Sequence, residues 1–144
     1  MMRYFFSCFI VAMVLFTAAC SKPSQYLSPP VKGDDIVIDI KTLKDAEPAF
    51  FSYLIEDKRI NFFVIKILDD IDAYLDACAK CYPHKMGYRL EGFSIVCRYC
   101  GVKYSVDHLK NGFGSCHPIL LKGKLKGEKY MISVDELKKG RKYF

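Results

Sequence analysis

The chain has 144 residues, enough for one domain and hardly for two. Its 51% hydrophobic and 26% charged content excludes a disordered chain and describes an ordinary globular one. The net charge of +6 is uneven: residues 103–144 hold ten basic and four acidic side chains, which accounts for the whole excess. A solvated surface or contact with anionic headgroups would both produce this, and no amphipathic helix pattern accompanies the charges.

Met1, Met2 and Arg3 give a short positive start, Tyr4 to Phe16 is nearly all apolar, and Thr17, Ala18 and Ala19 precede Cys20. That is the layout of a secretory signal peptide over residues 1–19, and the run is short for a spanning helix. Cys20 after two alanines resembles the lipid-modified cysteine of bacterial lipoproteins. Cleavage after Ala19 without a lipid, or an uncleaved anchor, fits the same residues. The expectation is a lipid-anchored protein of the cell envelope, facing the periplasm or the exterior. Export disfavours nucleic acid as a partner. Residues 20–34, with three prolines and three serines and no apolar period, are expected as lipid anchor and linker, leaving residues 35–144 as the domain.

From Asp35 to Lys41, Ile36, Ile38 and Ile40 alternate, as in a half-buried strand. The runs Ala49 to Ile55 and Ile60 to Leu68 flank a polar break at Glu56 to Arg59, which predicts a hairpin. Asp69 and Asp70 make a turn, and Ile71 to Ala77, with Ala73 and Leu75 on one side, leads into a cysteine pair. Phe93, Ile95 and Val96 are expected strand residues, as is Val102 to Val106. Ile119 to Leu125 and Tyr130 to Val134 are expected to close a hairpin around Gly127. Ser133 with Glu136 fits a capping box, opening a short helix through Lys139 that Gly140 ends. The expected fold is mostly β, α+β at the margin.

Cys78 and Cys81 form one Cys-x-x-Cys pair, Cys97 and Cys100 a second, fifteen residues further on. A tight turn aims both sulfurs of a pair at one ion, and a hairpin-sized insert brings the second pair opposite, as in a two-knuckle, zinc-ribbon-like site. Gly101 follows the second pair, where a positive φ completes such a turn. With Cys8 in the signal and Cys20 acylated, five cysteines remain, the fifth being Cys116. Five is odd, so two disulfides would strand one thiol, which favours a metal site or a reactive cysteine.

These residues, with their neighbours, resemble a family. Asp76 to Tyr82, Gly87 to Arg89, Glu91 with Gly92, Ile95 to Gly101 and Gly114 to Ile119 fall in the order seen in the membrane iron-sulfur containing FtrD-like family. Phe62 to Lys66 and Asp135 to Phe144 fit as well, so the resemblance covers roughly residues 36–144. It implies an iron–sulfur centre on the cysteines, and an accessory role in iron uptake beside a high-affinity iron permease and a periplasmic metal-binding protein. Many relatives carry the domain after several transmembrane helices, where a signal and lipid anchor are expected here. His117 stands where the family usually has Asn.

The expected ligands are thus Cys78, Cys81, Cys97 and Cys100, with Cys116 as fifth ligand or neighbour. Four thiolates suit zinc, iron–sulfur or Cu(I). Zinc is favoured chemically, because an exported, unfolded chain would need a cluster assembled outside the cytoplasm. Two other readings stand beside metal binding. The pairs can serve thiol–disulfide exchange with Cys116 as resolving thiol, although neither pair opens a helix in a βαβ unit. They can also simply staple a small exported domain that acts through another surface. Cys116 is placed near the site and His117 outside it, since adjacent residues of an extended chain face opposite sides. His84 and His108 read as surface residues, and Asp69, Asp70 and Asp72 as a turn. No catalytic constellation emerges, so no enzymatic activity is assigned.

Overall fold

Successive strand residues face opposite sides, so an apolar run without alternation needs cover on both. Ile60 to Ile67 is such a run, and it lies in the middle layer of the domain. The structure is a computed structural model that describes residues 24–111 and 114–144. The expected signal peptide at residues 1–19 and lipid site at Cys20 lie outside the described residues.

Eleven strands form three antiparallel sheets among the described residues. The first sheet has the order β1 (Val31–Lys32), β2 (Asp35–Asp39), β11 (Lys129–Ser133), β10 (Lys124–Lys126). The middle sheet runs β3 (Ala49–Ile55), β4 (Lys58–Ile67), β5 (Asp70–Cys78), β9 (Pro118–Leu121). The third is β6 (Tyr88–Glu91), β7 (Ser94–Cys97), β8 (Lys103–Ser105). Among the described residues one α-helix, α1 (Val134–Lys139), follows β11, and the Ser133 side chain accepts from the Glu136 N–H at its start. The mostly-β expectation holds, and so does the helix start at Ser133, but the capping box is only half made: the Glu136 carboxylate accepts from the Lys122 N–H and Lys139 instead of reaching back to Ser133.

β4 explains the layering. Phe62 and Val64 join a core with Ile36, Ile38, Ile132 and Leu137 from the first sheet and α1. Phe63 and Ile65 join a second core with Tyr74, Tyr88 and Ile95, on the side of the third sheet. Four cysteines belong to that second core: Cys78, Cys81, Cys97 and Cys116. The cysteine cluster is therefore built into packing, not hung on a loop.

The structure departs from three expectations. Residues 24–34 do not run free as a linker: Leu27 bridges Phe51 on the edge of β3, Val31 and Lys32 pair with β2, and the Tyr26 ring packs edge-on against Phe50. Proline and serine content reports only a lack of periodicity, and an irregular strap bonded to a sheet edge has none either. The closing hairpin is β10 with β11 alone, because Ile119 to Leu121 leave it to pair with β5 in the middle sheet. Phe93 is not a strand residue. It sits in the β6–β7 turn and is 76% exposed.

Candidate metal centre

The first knuckle grows out of β5, whose last residue is Cys78. The chain turns at Ala79 and Lys80, and the Cys81 N–H donates to the Cys78 sulfur at 3.2 Å. A 3-10 helix over Tyr82–His84, with Pro83 at its start, then carries the chain off. The second knuckle ends β7. Gly101, at φ +74°, lets its N–H return to the Cys97 carbonyl at 2.9 Å, while the Cys97 N–H donates to the Val102 carbonyl. Cys116 arrives just before β9, pinned where the Tyr88 hydroxyl donates to its carbonyl at 3.0 Å.

These three approaches meet. The sulfurs of Cys78, Cys81, Cys97 and Cys116 all lie within 4.8 Å of one another and are buried, a group that can hold a metal ion. Cys116 Sγ is 3.6 Å from Cys81 Sγ and 2.9 Å from the sulfur of Cys100. Cys78 and Cys116 are paired as a disulfide, their Cα atoms 5.2 Å apart, while Cys81, Cys97 and Cys100 are free thiols. All five expected cysteines are thus brought together, but the compact group takes Cys116 where spacing alone put Cys100. Burial, then the Cys100 and Cys97 sulfurs beside it, push the Cys81 thiol up to about 11. Burial also raises Cys100, yet a bond to the Val102 backbone and the Cys97 and Cys81 thiols outweigh it and leave that thiol low.

The histidines stay outside. His117 turns its Nδ1 to the Gly114 carbonyl at 2.9 Å, and His108 lies beside Asp107 on the surface. His84 is more than a surface residue: it stacks on Tyr99, with ring centroids 3.5 Å apart and planes 9° from parallel. The two residues belong to different knuckles, so the stack clasps one to the other. A cleft of about 300 Å³ opens beside them, lined by Cys78, Cys81 and Cys97 together with Tyr82, Tyr99 and Tyr143.

Spacing gave no sign of Asp76, two residues before Cys78. It is buried, accepts from the Tyr88 N–H at 2.6 Å and the Tyr26 hydroxyl at 2.5 Å, and thereby ties the N-terminal strap to the site. Gly87 makes room for it: with φ at +65°, any Cβ there would stand 2.5 Å from the Asp76 carboxylate. Arg98 in the second knuckle completes the tie, donating to the Tyr88 carbonyl and to Gln25. The sequence signals for Asp76 were its place at the head of the Asp76 to Tyr82 stretch that resembles the family, and a carboxylate within the apolar run from Ala73 to Ala77.

Burial raises the Asp76 carboxyl from an ordinary 3.8 to about 6, against the opposing pull of Tyr26, Tyr88 and Arg98. The native state therefore holds this proton more tightly than the unfolded chain. Its contribution to stability is fully present below about pH 3.8 and is lost as the pH rises through about 6. Urea titrations of the wild type and of Asp76→Asn, from pH 7.5 down to 4, are expected to show the wild type gaining about 2–3 kcal/mol relative to the variant. Taking the difference cancels the thiols' own response to acid.

The FtrD-like family, described as membrane iron-sulfur containing protein FtrD-like, matches residues 43–144. The chain belongs to the FtrD-like family. All five clustered cysteines fall inside the matched stretch, and so do Asp76 and Tyr88. The strap residue Tyr26 lies before it. No curated protein was found to match the chain. The family description associates its members with a membrane. Among the described residues of this FtrD-like chain, no helix is long and apolar enough to cross one.

Proposed function

We propose that this FtrD-like domain binds one metal ion through its cysteine cluster, as part of metal handling or electron transfer at a membrane. The observation that carries the reading is the set of four buried sulfurs within 4.8 Å of one another. A tetrahedron with metal–sulfur bonds of about 2.3 Å has edges of about 3.8 Å, so once the Cys78–Cys116 disulfide is reduced the separation suits a single ion in four thiolates. Zinc and iron both accept that geometry. The family description favours iron and sulfur, and a lone iron held by cysteine sulfur needs no cluster assembled beforehand. Bound there, iron would supply a one-electron carrier, whereas zinc would hold the two knuckles together.

The signal-like residues 1–19 and Cys20 support an exported, lipid-anchored protein, and the family resemblance supports an iron permease or a periplasmic metal-binding protein as its partner. A second reading has its own observation. The Cys78–Cys116 disulfide lies among three free thiols, which is the composition of a thiol–disulfide exchange site.

The test is elemental analysis, inorganic sulfide and thiol counting on the full chain purified from membranes under native conditions. About one zinc or iron per chain without sulfide is the expected result. Iron with equal sulfide would replace the single ion by a cluster. No metal, with a retained disulfide, would overturn the reading in favour of exchange chemistry.

A further inference from the structure

Five sulfurs crowd a site that offers four positions to a tetrahedral ion. The metal-binding reading leaves one of them over, and it decides which. By spacing alone the two Cys-x-x-Cys pairs would be the ligands and Cys116 the spare. The geometry points to the reverse: Cys116 fills the fourth buried position, and Cys100 is an exchange thiol through which the ion leaves for an anionic chelating acceptor.

Three observations carry this. Cys116 is buried and shares the compact group with Cys78, Cys81 and Cys97, whereas Cys100 is exposed. Cys116 is held in that group by the Tyr88 hydroxyl on its carbonyl and by the pairing of Pro118 with Cys78 next to it. Yet the Cys100 sulfur lies 2.9 Å from that of Cys116, close enough to take over its bond to a common ion. The exchange is a substitution. One metal–sulfur bond forms at Cys100 as the one at Cys116 breaks, Cys100 gives up its proton to solvent, Cys116 takes one, and no electron moves. The ion on Cys100 is then at the surface.

The acceptor's charge follows from the surroundings. Residues 79–103, which carry both knuckle turns, hold five basic side chains and one acidic one. Lys80 and Lys85 stand exposed on the first knuckle, while Lys103, just past the second, pairs with Glu91 at 2.8 Å. Such a rim draws an anionic ligand and repels free cations, which favours hand-over to a chelator above loss to solvent.

The experiment uses the full chain in detergent, reduced and loaded with one equivalent of zinc. Brief treatment with iodoacetamide, followed by peptide mass mapping, is expected to alkylate Cys100 at least tenfold faster than the other four cluster cysteines. Cys100→Ser is expected to keep its zinc but to pass it to EDTA about tenfold more slowly, and salt is expected to slow the wild-type transfer. Protection of Cys100 with alkylation of Cys116, protection of all five, or loss of zinc in Cys100→Ser would each overturn the assignment. Transfer indifferent to salt would overturn the anionic acceptor. A wild type that takes up no zinc would overturn the metal reading itself, and the assignment with it.

Discussion

Replacing Cys97 by serine is expected to abolish stoichiometric metal binding and to unfold the third sheet. Cys97 is the last residue of β7, only 1% exposed, and its backbone bonds both Val102 and Gly101. Its sulfur is one of the four in the compact group, and serine offers a harder, poorly ionised oxygen in its place. Structural zinc sites of this type contribute on the order of 10–16 kcal/mol of apparent binding energy, so losing one ligand removes more than a small domain can spare. The measurement is metal content together with urea unfolding of Cys97→Ser. Retained fold with lost thiol reactivity would instead support the exchange reading, in which the cysteines act without holding the structure.

Phe63→Ala is expected to cost about 3–5 kcal/mol and to weaken metal binding as well. Phe62→Ala next to it should cost a similar amount and leave the metal affinity of the folded fraction unchanged. Both rings are fully buried in β4, but on opposite faces. Phe62 stacks on Phe51 in the core shared with the first sheet. Phe63 touches Phe50, Tyr74 and Tyr88, with ring centroids 5.4, 5.4 and 6.3 Å away. Tyr88 is the residue that holds the Cys116 carbonyl and borders the Asp76 carboxylate, so a cavity at Phe63 loosens the support beneath the cysteines. Urea unfolding paired with a zinc competition titration separates the two outcomes. Equal affinity in both variants would mean that the cysteine site is held by its own knuckles alone.

Much of this was legible in the chain. Ile36 and Ile38, the β3–β4 hairpin and the Ser133 cap obey local rules, since period, turn and capping act within a few residues. The convergence of five cysteines was legible too, because each knuckle is a local turn. What was not legible is tertiary. Which of Cys100 and Cys116 faces inward depends on where β9 places the chain after a loop. β9 itself abandons the expected closing hairpin because β5 offers it an apolar edge. Asp76 carries no periodic signal, and its role exists only once Gly87, Tyr88 and Tyr26 are folded around it. The strap's attachment was hidden for the same reason: Tyr26 reads as one aromatic among prolines until Phe50 and Asp76 are beside it.

The pairing of β2 with β11 has a consequence for when the domain can fold. Ile36 lies opposite Ile132, so the first sheet joins segments from nearly opposite ends of the domain. Until β11 has left the ribosome, β2 has only the two-residue β1 beside it, and one face of the middle sheet stays uncovered. Contacts of such long sequence separation form late and slowly, since the intervening loop must close before they repay its entropy. The first sheet is therefore completed only once Lys129–Ser133 has been made. A domain that closes only with its last strand stays open to proteases and chaperones until that strand is made.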